Sequence, residues 1–316
     1  MIFELTNVDT SITRLFNPYY MKIKASLSDD TDTLTVTFRG VNEYGEYKYI
    51  RVIYDEKTIF TGVIDSLVNS VNEYGKELTL NCRSMSACLL DNHLQPQNMQ
   101  NITDEIIYAR FLQPNKIGIN NISNKSYNGV INISNNTSVY DLIKEYSQKV
   151  FSALPYVNAD GVAILNSNIN SSKYFFSNTA NPLTANSYYC TSIITENNRR
   201  NVVSKVCVKN RLNETGYNYI AKNDSALNDK IDCVRYIDAT PYSGRCTYDA
   251  IRMIDSSNNN RFVCRVKCPC MVYNPVGAFA IVSVDDRLIE NMIVSSVTYT
   301  YKNNKTESEI IMYRKL

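Results

Sequence analysis

Residues 50–75 have a counterpart displaced by 230 residues, and a chain that carries one strand–turn–strand pattern twice has few folds open to it. Residues 50–54 correspond to 280–284, and the polar turn Asp55, Glu56, Lys57 corresponds to Asp285, Asp286, Arg287. Ile59 then matches Ile289, Val63 and Ile64 match Ile293 and Val294, and Ser66 and Leu67 match Ser296 and Val297. The closing hairpins 72–75 and 302–305 align without a gap. Two readings stand side by side. Short β-meanders resemble one another by composition alone, whereas a gap-free register across four elements marks a duplicated β domain.

Around the first copy the sequence reads as antiparallel strands. Leu34, Val36 and Phe38 alternate with threonines, as a half-buried strand requires. Residues 49–54, 59–64 and 76–82 supply three more strands, and Gly62 within the second of these predicts a bulge or bend that curls the sheet. The period changes at Ser84, where Met85, Cys88 and Leu89 fall at helical spacing, with Pro96 just beyond. Thr103 is placed to cap a helix that carries Asp104 and Glu105 in its first turn and reaches Leu112. Ser138 and Asp141 have the spacing of a capping box, followed by an apolar stripe of Val139, Leu142, Ile143, Tyr146 and Val150. Loop-like sequence runs over 178–186. Strands return at 201–208 and 261–273, separated by a short helix over 248–254, and finish with 280–284, 292–301 and 309–313.

The expected fold class is therefore α+β, mainly β, with two related antiparallel β-barrel domains flanking a mixed α/β middle region. The divisions fall at 1–95, 96–187 and 188–316. Runs of asparagine at 197–198, 258–260 and 303–304 read as turns.

Composition excludes several function classes. Thirty-three basic against 31 acidic residues leave a net charge of +2, which gives no electrostatic footprint for nucleic acid or an anionic membrane. The N-terminus lacks the basic start and apolar run of a signal peptide, and the longest apolar stretch, 276–282, is too short to span a bilayer. Synthesis in the cytoplasm without membrane insertion is expected. Nine scattered cysteines in such a chain read as reduced, buried small hydrophobes, not as a disulfide framework.

No reactive constellation emerges. His93 stands alone between Asn92 and Leu94 at a helix end, and a cysteine–histidine nucleophile pair would need a third, orienting group that no local signature supplies. Cys264, Cys268 and Cys270 share a parity, so along one strand they would line one face; successive same-face residues stand about 7 Å apart, too spread for tetrahedral zinc. Core packing is the better reading of the three. Asp285 and Asp286 sit in a turn, and Asp104 and Glu105 in a first helical turn, both places where acids belong for local reasons. No P-loop, dinucleotide fingerprint or zinc-protease motif occurs, and ten glycines leave little room for phosphate-cradling loops. The expectation is no catalytic residue, no cofactor-binding residue and no metal ligand, hence no enzyme and no cofactor.

Taken in order, the motifs resemble the baseplate hub proteins of contractile tails, a family found in phages such as T4 and Mu, in defective prophages and in R-type bacteriocins. Phe60, Thr61, Gly62, Val63, Ile64, Asp65 is similar to the family's F-x-G-x-I-D strand. Arg83 and Ser84 stand where the family has a G-R-S turn, with Cys82 in place of the usual glycine, and Leu89, Leu90, Asp91 resemble its L-L-D. Residues 138–143 followed by Asp160 and Gly161 resemble its middle helix and D-G hairpin, and 199–203 the start of its second barrel. A glycine matching Gly62 is missing at Met292. The resemblance implies a homotrimeric structural hub, whose two barrels per subunit give a ring of approximate sixfold symmetry. Its partners would be a trimeric spike protein, the tail tube or tube-initiator protein, the tape-measure protein and other baseplate proteins. It would reside in a virion or tail-like particle assembled in the bacterial host cytoplasm, with DNA passing the lumen only if the particle is a phage. Two competing readings are a tail-associated peptidoglycan hydrolase, which requires paired acids or cysteine–histidine, and a host-surface binding module, which the abundant tyrosine and asparagine would suit.

Overall fold

The computed structural model describes residues 1–315 apart from 42, 44, 74, 167–169, 180–185, 210–214, 239–245 and 286. The chain is mainly β, at 52% strand and 16% helix. It divides into two compact units: Met1–Ser172 with Cys268–Ala278 and Ser295–Glu309, and Lys173–Lys267 with Phe279–Val294 and Ile310–Leu316. These units group residues by contact and are a different partition from the sequence divisions at 95/96 and 187/188.

In the first unit the strands run, in spatial order, from the 295–302 portion of Arg287–Lys302 through Tyr20–Ser26, Thr33–Arg39, Gly75–Ser84, Lys57–Asn72, Tyr47–Tyr54 and Ile2–Asn7 to Ile12–Phe16, every neighbour antiparallel. Alternate residues face inward: Phe3 and Leu5, Met21 and Ile23, Leu34, Val36 and Phe38, Ile50 and Val52, Leu78 and Leu80 are all at or below 1% exposure. Phe3 and Phe38 meet edge to face, with ring centroids 5.1 Å apart.

The segment after residue 84 has a core of its own, built from Met85, Leu89, Met99, Ile102, Leu112, Ile131, Leu142, Ile143 and Tyr146 among others. The sequence-predicted caps are present. Thr103 accepts from Ile106 N at 3.2 Å, and its helix runs as Asp104–Ile107 before widening into a π-helical turn, Tyr108–Leu112. Ser138 and Asp141 cap Val139–Phe151 reciprocally at 3.0 Å each.

In the second unit two sheets contain parallel pairs, where segment 188–316 was expected to be antiparallel. Lys173–Ser177 lies parallel to both Ser187–Tyr189 and Phe279–Val284. Lys205–Lys209 lies antiparallel to Tyr219–Lys222 and parallel to Val234–Asp238, because the chain returns through Tyr219–Lys222 and a short helix, Asp224–Asn228, before the parallel strand begins. The strand expected from residue 201 begins at Lys205, and the one expected over 261–273 ends at Cys268. The short helix expected over 248–254 is longer, Cys246–Asn259, so Asn258 and Asn259 end a helix where a turn was expected. Part of the loop expected over 178–186 lies outside the described residues.

The echo is reproduced in the strands. Lys57–Asn72 and Gly75–Ser84 recur as Arg287–Lys302 and Lys305–Arg314, each displaced by 230 residues. Asp55 and Asp285 both take left-handed backbone, at φ 49° and 47°. Each long strand carries one extra residue against its preceding neighbour, after which Ile50 pairs with Gly62 and Ala280 with Met292. Buried parity is conserved too: Leu78, Leu80 and Cys82 answer to Ser308, Ile310 and Met312. What differs is the means of bending. A Cβ on Gly62 would lie 2.1 Å from the Arg83 carbonyl oxygen, so only glycine fits, by close approach and not by a left-handed backbone; the second copy instead has a left-handed residue at Asn291, with φ 58°, and buries Met292 completely at the position equivalent to Gly62. Gly62→Ala should lower stability by about 2 kcal/mol or more, whereas Asn291→Gly should be close to neutral because it relieves a left-handed conformation. Urea-denaturation midpoints of the two variants check both signs.

Candidate functional site

The residues singled out by sequence motifs meet at one junction in the first unit. Strand Lys57–Asn72 pairs antiparallel with Gly75–Ser84, bringing Val63 opposite Arg83. The register slips between Ile64 and Ser66, so Asp65 is the extra residue of a bulge, and its carboxylate is turned onto the Arg83 guanidinium. Arg83 Nε and Nη2 donate to Asp65 Oδ2 and Oδ1 at 2.8 and 2.9 Å. Its Nη1 and Nη2 donate to Asp91 Oδ1 and Oδ2 at 3.0 and 2.8 Å. Asp91 is the C-cap of the helix Ala87–Leu90. One planar cation thus grips two carboxylates bidentately, which lysine could not do. The hydrogen bond from Arg83 holds Asp91 below the usual carboxylate range, and the two acids, Asp65 first, hold the guanidinium charged.

The next residue continues the junction inward. Ser84 N donates to the Asp32 carbonyl at 2.9 Å, and Asp32 N donates to Ser84 Oγ at 3.0 Å. Asp32 is 6% exposed; its Oδ1 accepts from Ser26 N and its Oδ2 from the Tyr156 hydroxyl, each at 3.1 Å. Burial pushes the Asp32 carboxyl up to about 7, against the opposing pull of its hydrogen bonds and of Lys24. Gly161 of the D-G hairpin, at φ 76°, brings its backbone against Met85 and Thr61. The sequence marked Arg83, Asp65 and Asp91 individually. Asp32 and Tyr156 carry no local signal, since Asp32 follows two other aspartates in a polar turn and looks solvated.

This arrangement fastens elements together and holds no nucleophile–base pair. His93 is exposed, and its backbone bridges Ser138 beside the capped helix. Cys264 is fully buried in Phe262–Cys268, and burial pushes its thiol up to about 12. Cys270 lies beyond the end of that strand and is half-buried, so the premise that all three cysteines line one strand face does not hold. Asp104 is buried at 1% exposure and accepts from Ser123 N and Oγ at 2.6 and 2.7 Å, a loop tie that its reading as a first-turn acid did not foresee. Asp285 sits in the turn expected of it, with left-handed backbone, and accepts from Asn178 Nδ2 at 2.8 Å, while Asp286 lies outside the described residues. Among the described residues no group of three or more histidine, cysteine, aspartate or glutamate side chains is placed to hold a metal ion, and no helix is long and apolar enough to cross a membrane.

Two outcomes are expected of this junction. Arg83→Lys should lower stability by about 1–2 kcal/mol, because hydrogen bonds to charged groups are worth that much and two bidentate pairs are lost; a double-mutant cycle with Asp91→Asn should show a coupling that shrinks as salt is added. Asp32 binds a proton in the folded state near pH 7 that the unfolded chain releases near 3.8. Its contribution is fully present below the unfolded value and is lost as pH rises through the folded one, so stability should fall by about 1 kcal/mol per unit towards neutrality. Asp32→Asn, whose Oδ1 accepts from Ser26 N and whose Nδ2 donates to the Tyr156 hydroxyl oxygen in a bond of reversed direction, should flatten that slope in urea melts taken across the same range.

No protein-family model matches the sequence, and no curated protein matches it. Solved structures do match by fold. A tail protein from Neisseria meningitidis MC58 aligns at a TM-score of 0.75 and 12% identity, covering 99% of this chain and 96% of its own. The 43 kDa tail protein of prophage MuSo2 from Shewanella oneidensis aligns at 0.76 and 14% identity, covering 99% and 98%. The E. coli c3393 protein, a type VI secretion component described as similar to the T4 tail proteins gp27 and gp5, aligns at 0.56 and 10% identity, covering 95% and 74%. From end to end, the chain has the fold of these phage-tail and tail-like secretion proteins.

Proposed function

We propose that this chain is a structural hub of a contractile, phage-type tail: a homotrimer that links the central spike to the tail tube and acts through contact surfaces, with no catalytic, cofactor or metal site. The observation that carries this reading is the full-length likeness in fold to tail proteins at TM-scores of 0.75 and 0.76. The repeated meander supports two barrel-like domains per subunit, falling in segments 1–95 and 188–316 around a middle domain, 96–187. Three subunits would then offer six similar faces to a sixfold tube while keeping threefold symmetry for a spike. The first unit's end strand, Ile12–Phe16, supports a subunit contact as well. Among the described residues it pairs with one neighbour, Ile2–Asn7, and it exposes Ile12 at 58% and Phe16 at 53%, an edge that assembly would cover. The spike, the tube or its initiator, the tape-measure protein and other baseplate proteins are the proposed partners, in a particle assembled in the host cytoplasm.

The test is to label this subunit in intact tails and image them. Label confined to the spike end of the tube is expected, with three copies per particle by quantitative mass spectrometry. Label along fibres, or a purified chain that cleaves peptidoglycan, would overturn the reading.

A further inference from the structure

Within the second unit, the described residues cover the sheet of Lys205–Lys209, Tyr219–Lys222 and Val234–Asp238 on one face. Val206, Val208 and Ala221 pack on that side against Ala250 and Ile254 of the helix Cys246–Asn259. The opposite face, read from the register, is laid out in rows. Ile220, Cys207 and Tyr236 stand side by side in one row, Lys222, Lys205 and Val234 in the row on one side, and Lys209 and Asp238 in the row on the other, where the Tyr217 hydroxyl bonds the Asp238 carboxylate. Tyr217 packs edge-on against Tyr236 with centroids 4.9 Å apart. Exposure reaches 64% at Tyr236, 49% at Ile220 and 38% at Tyr217, while Cys207 at the centre is half-buried.

Two features of this face are unfavourable in the free protein. An isoleucine and two tyrosines are left in water in one contiguous patch. Lys205 and Lys222 stand directly opposite each other, a like-charge pairing that destabilises an antiparallel ladder, and among the described residues no carboxylate pairs with either. An apolar row beside an uncompensated cationic row is the anatomy of a protein interface, with a desolvated centre rich in tyrosine and a charged rim. A glycan would leave the Ile220–Cys207 row unsatisfied for want of hydrogen-bonding groups, and the two tyrosine rings, inclined at 61°, form no flat stacking platform for sugars or bases.

We propose that this sheet face docks an extended, acidic protein segment, whose carboxylates neutralise Lys205 and Lys222 and whose aromatic or aliphatic side chain covers Ile220, Cys207 and Tyr236. The proposal rests on the face itself and stands or falls independently of the tail reading.

The probe is a random copolymer of glutamate and tyrosine, compared with polyglutamate, heparin and a thymidine oligonucleotide. Alkylation of Cys207 in the unaltered chain, followed by peptide mass spectrometry, should slow by about tenfold when the copolymer is bound, corresponding to about 1.4 kcal/mol of protection. Lys205→Glu with Lys222→Glu, and separately Tyr236→Ser, should each weaken copolymer binding by about tenfold or more, while thermal melting shows both variants folded. The proposal is overturned if the copolymer neither binds nor protects Cys207. Equal protection by polyglutamate, or protection by heparin or the oligonucleotide instead, also overturns it. The alkylation readout needs no variant, so a substitution that fails to fold leaves the test intact.

Discussion

Arg83 is the residue around which the first unit is arranged. Its carbonyl oxygen occupies the space that a side chain at position 62 would need, which fixes a glycine in the long strand. Its guanidinium closes two bidentate pairs, one with the bulge residue Asp65 and one with Asp91 at the end of a helix. The guanidinium therefore ties the bulge of the long strand to the end of the helix that follows the sheet, while the exclusion at position 62 comes from a backbone carbonyl that any residue at 83 would supply. Exposed single ion pairs contribute little, but a planar cation shared by two carboxylates fixes geometry as well as energy.

Behind this junction lies the opposite kind of interaction. Asp32 is buried without a paired cation and is satisfied by hydrogen bonds from Ser26 and Tyr156. A buried carboxyl in that setting favours its neutral form. Arg83 favours the ionised form of Asp91 in the outer tie, whereas burial favours the neutral form of Asp32 in the inner one, whose contribution falls as pH rises towards neutrality.

The two meanders show how one pattern is bent by two devices. The first copy relies on a glycine at the point where backbones approach; the second has a left-handed Asn291 and buries Met292 at the equivalent of the glycine position. A search for a second glycine fails for this reason, although the strand boundaries, the turn aspartates and the buried parity coincide. The solved tail proteins likewise share the fold at only 12% and 14% identity.

The sequence by itself determined the elements whose physics is local. Alternation in residues 33–38, the reciprocal cap of Ser138 and Asp141, the Thr103 cap and the turns at Asp55 and Asp285 each depend on residues a few positions apart, and the structure has them where the pattern put them. Tertiary structure alone decided what depends on distant partners. Nothing near Asp32 announces its burial, because Tyr156 lies 124 residues away. The premature end of the strand at Cys268, the parallel pairing of Lys205–Lys209 with Val234–Asp238 and the meeting of Arg83 with both aspartates are likewise set by which segments pack together. Pairing across a sheet is a choice among competing partners that no single strand encodes.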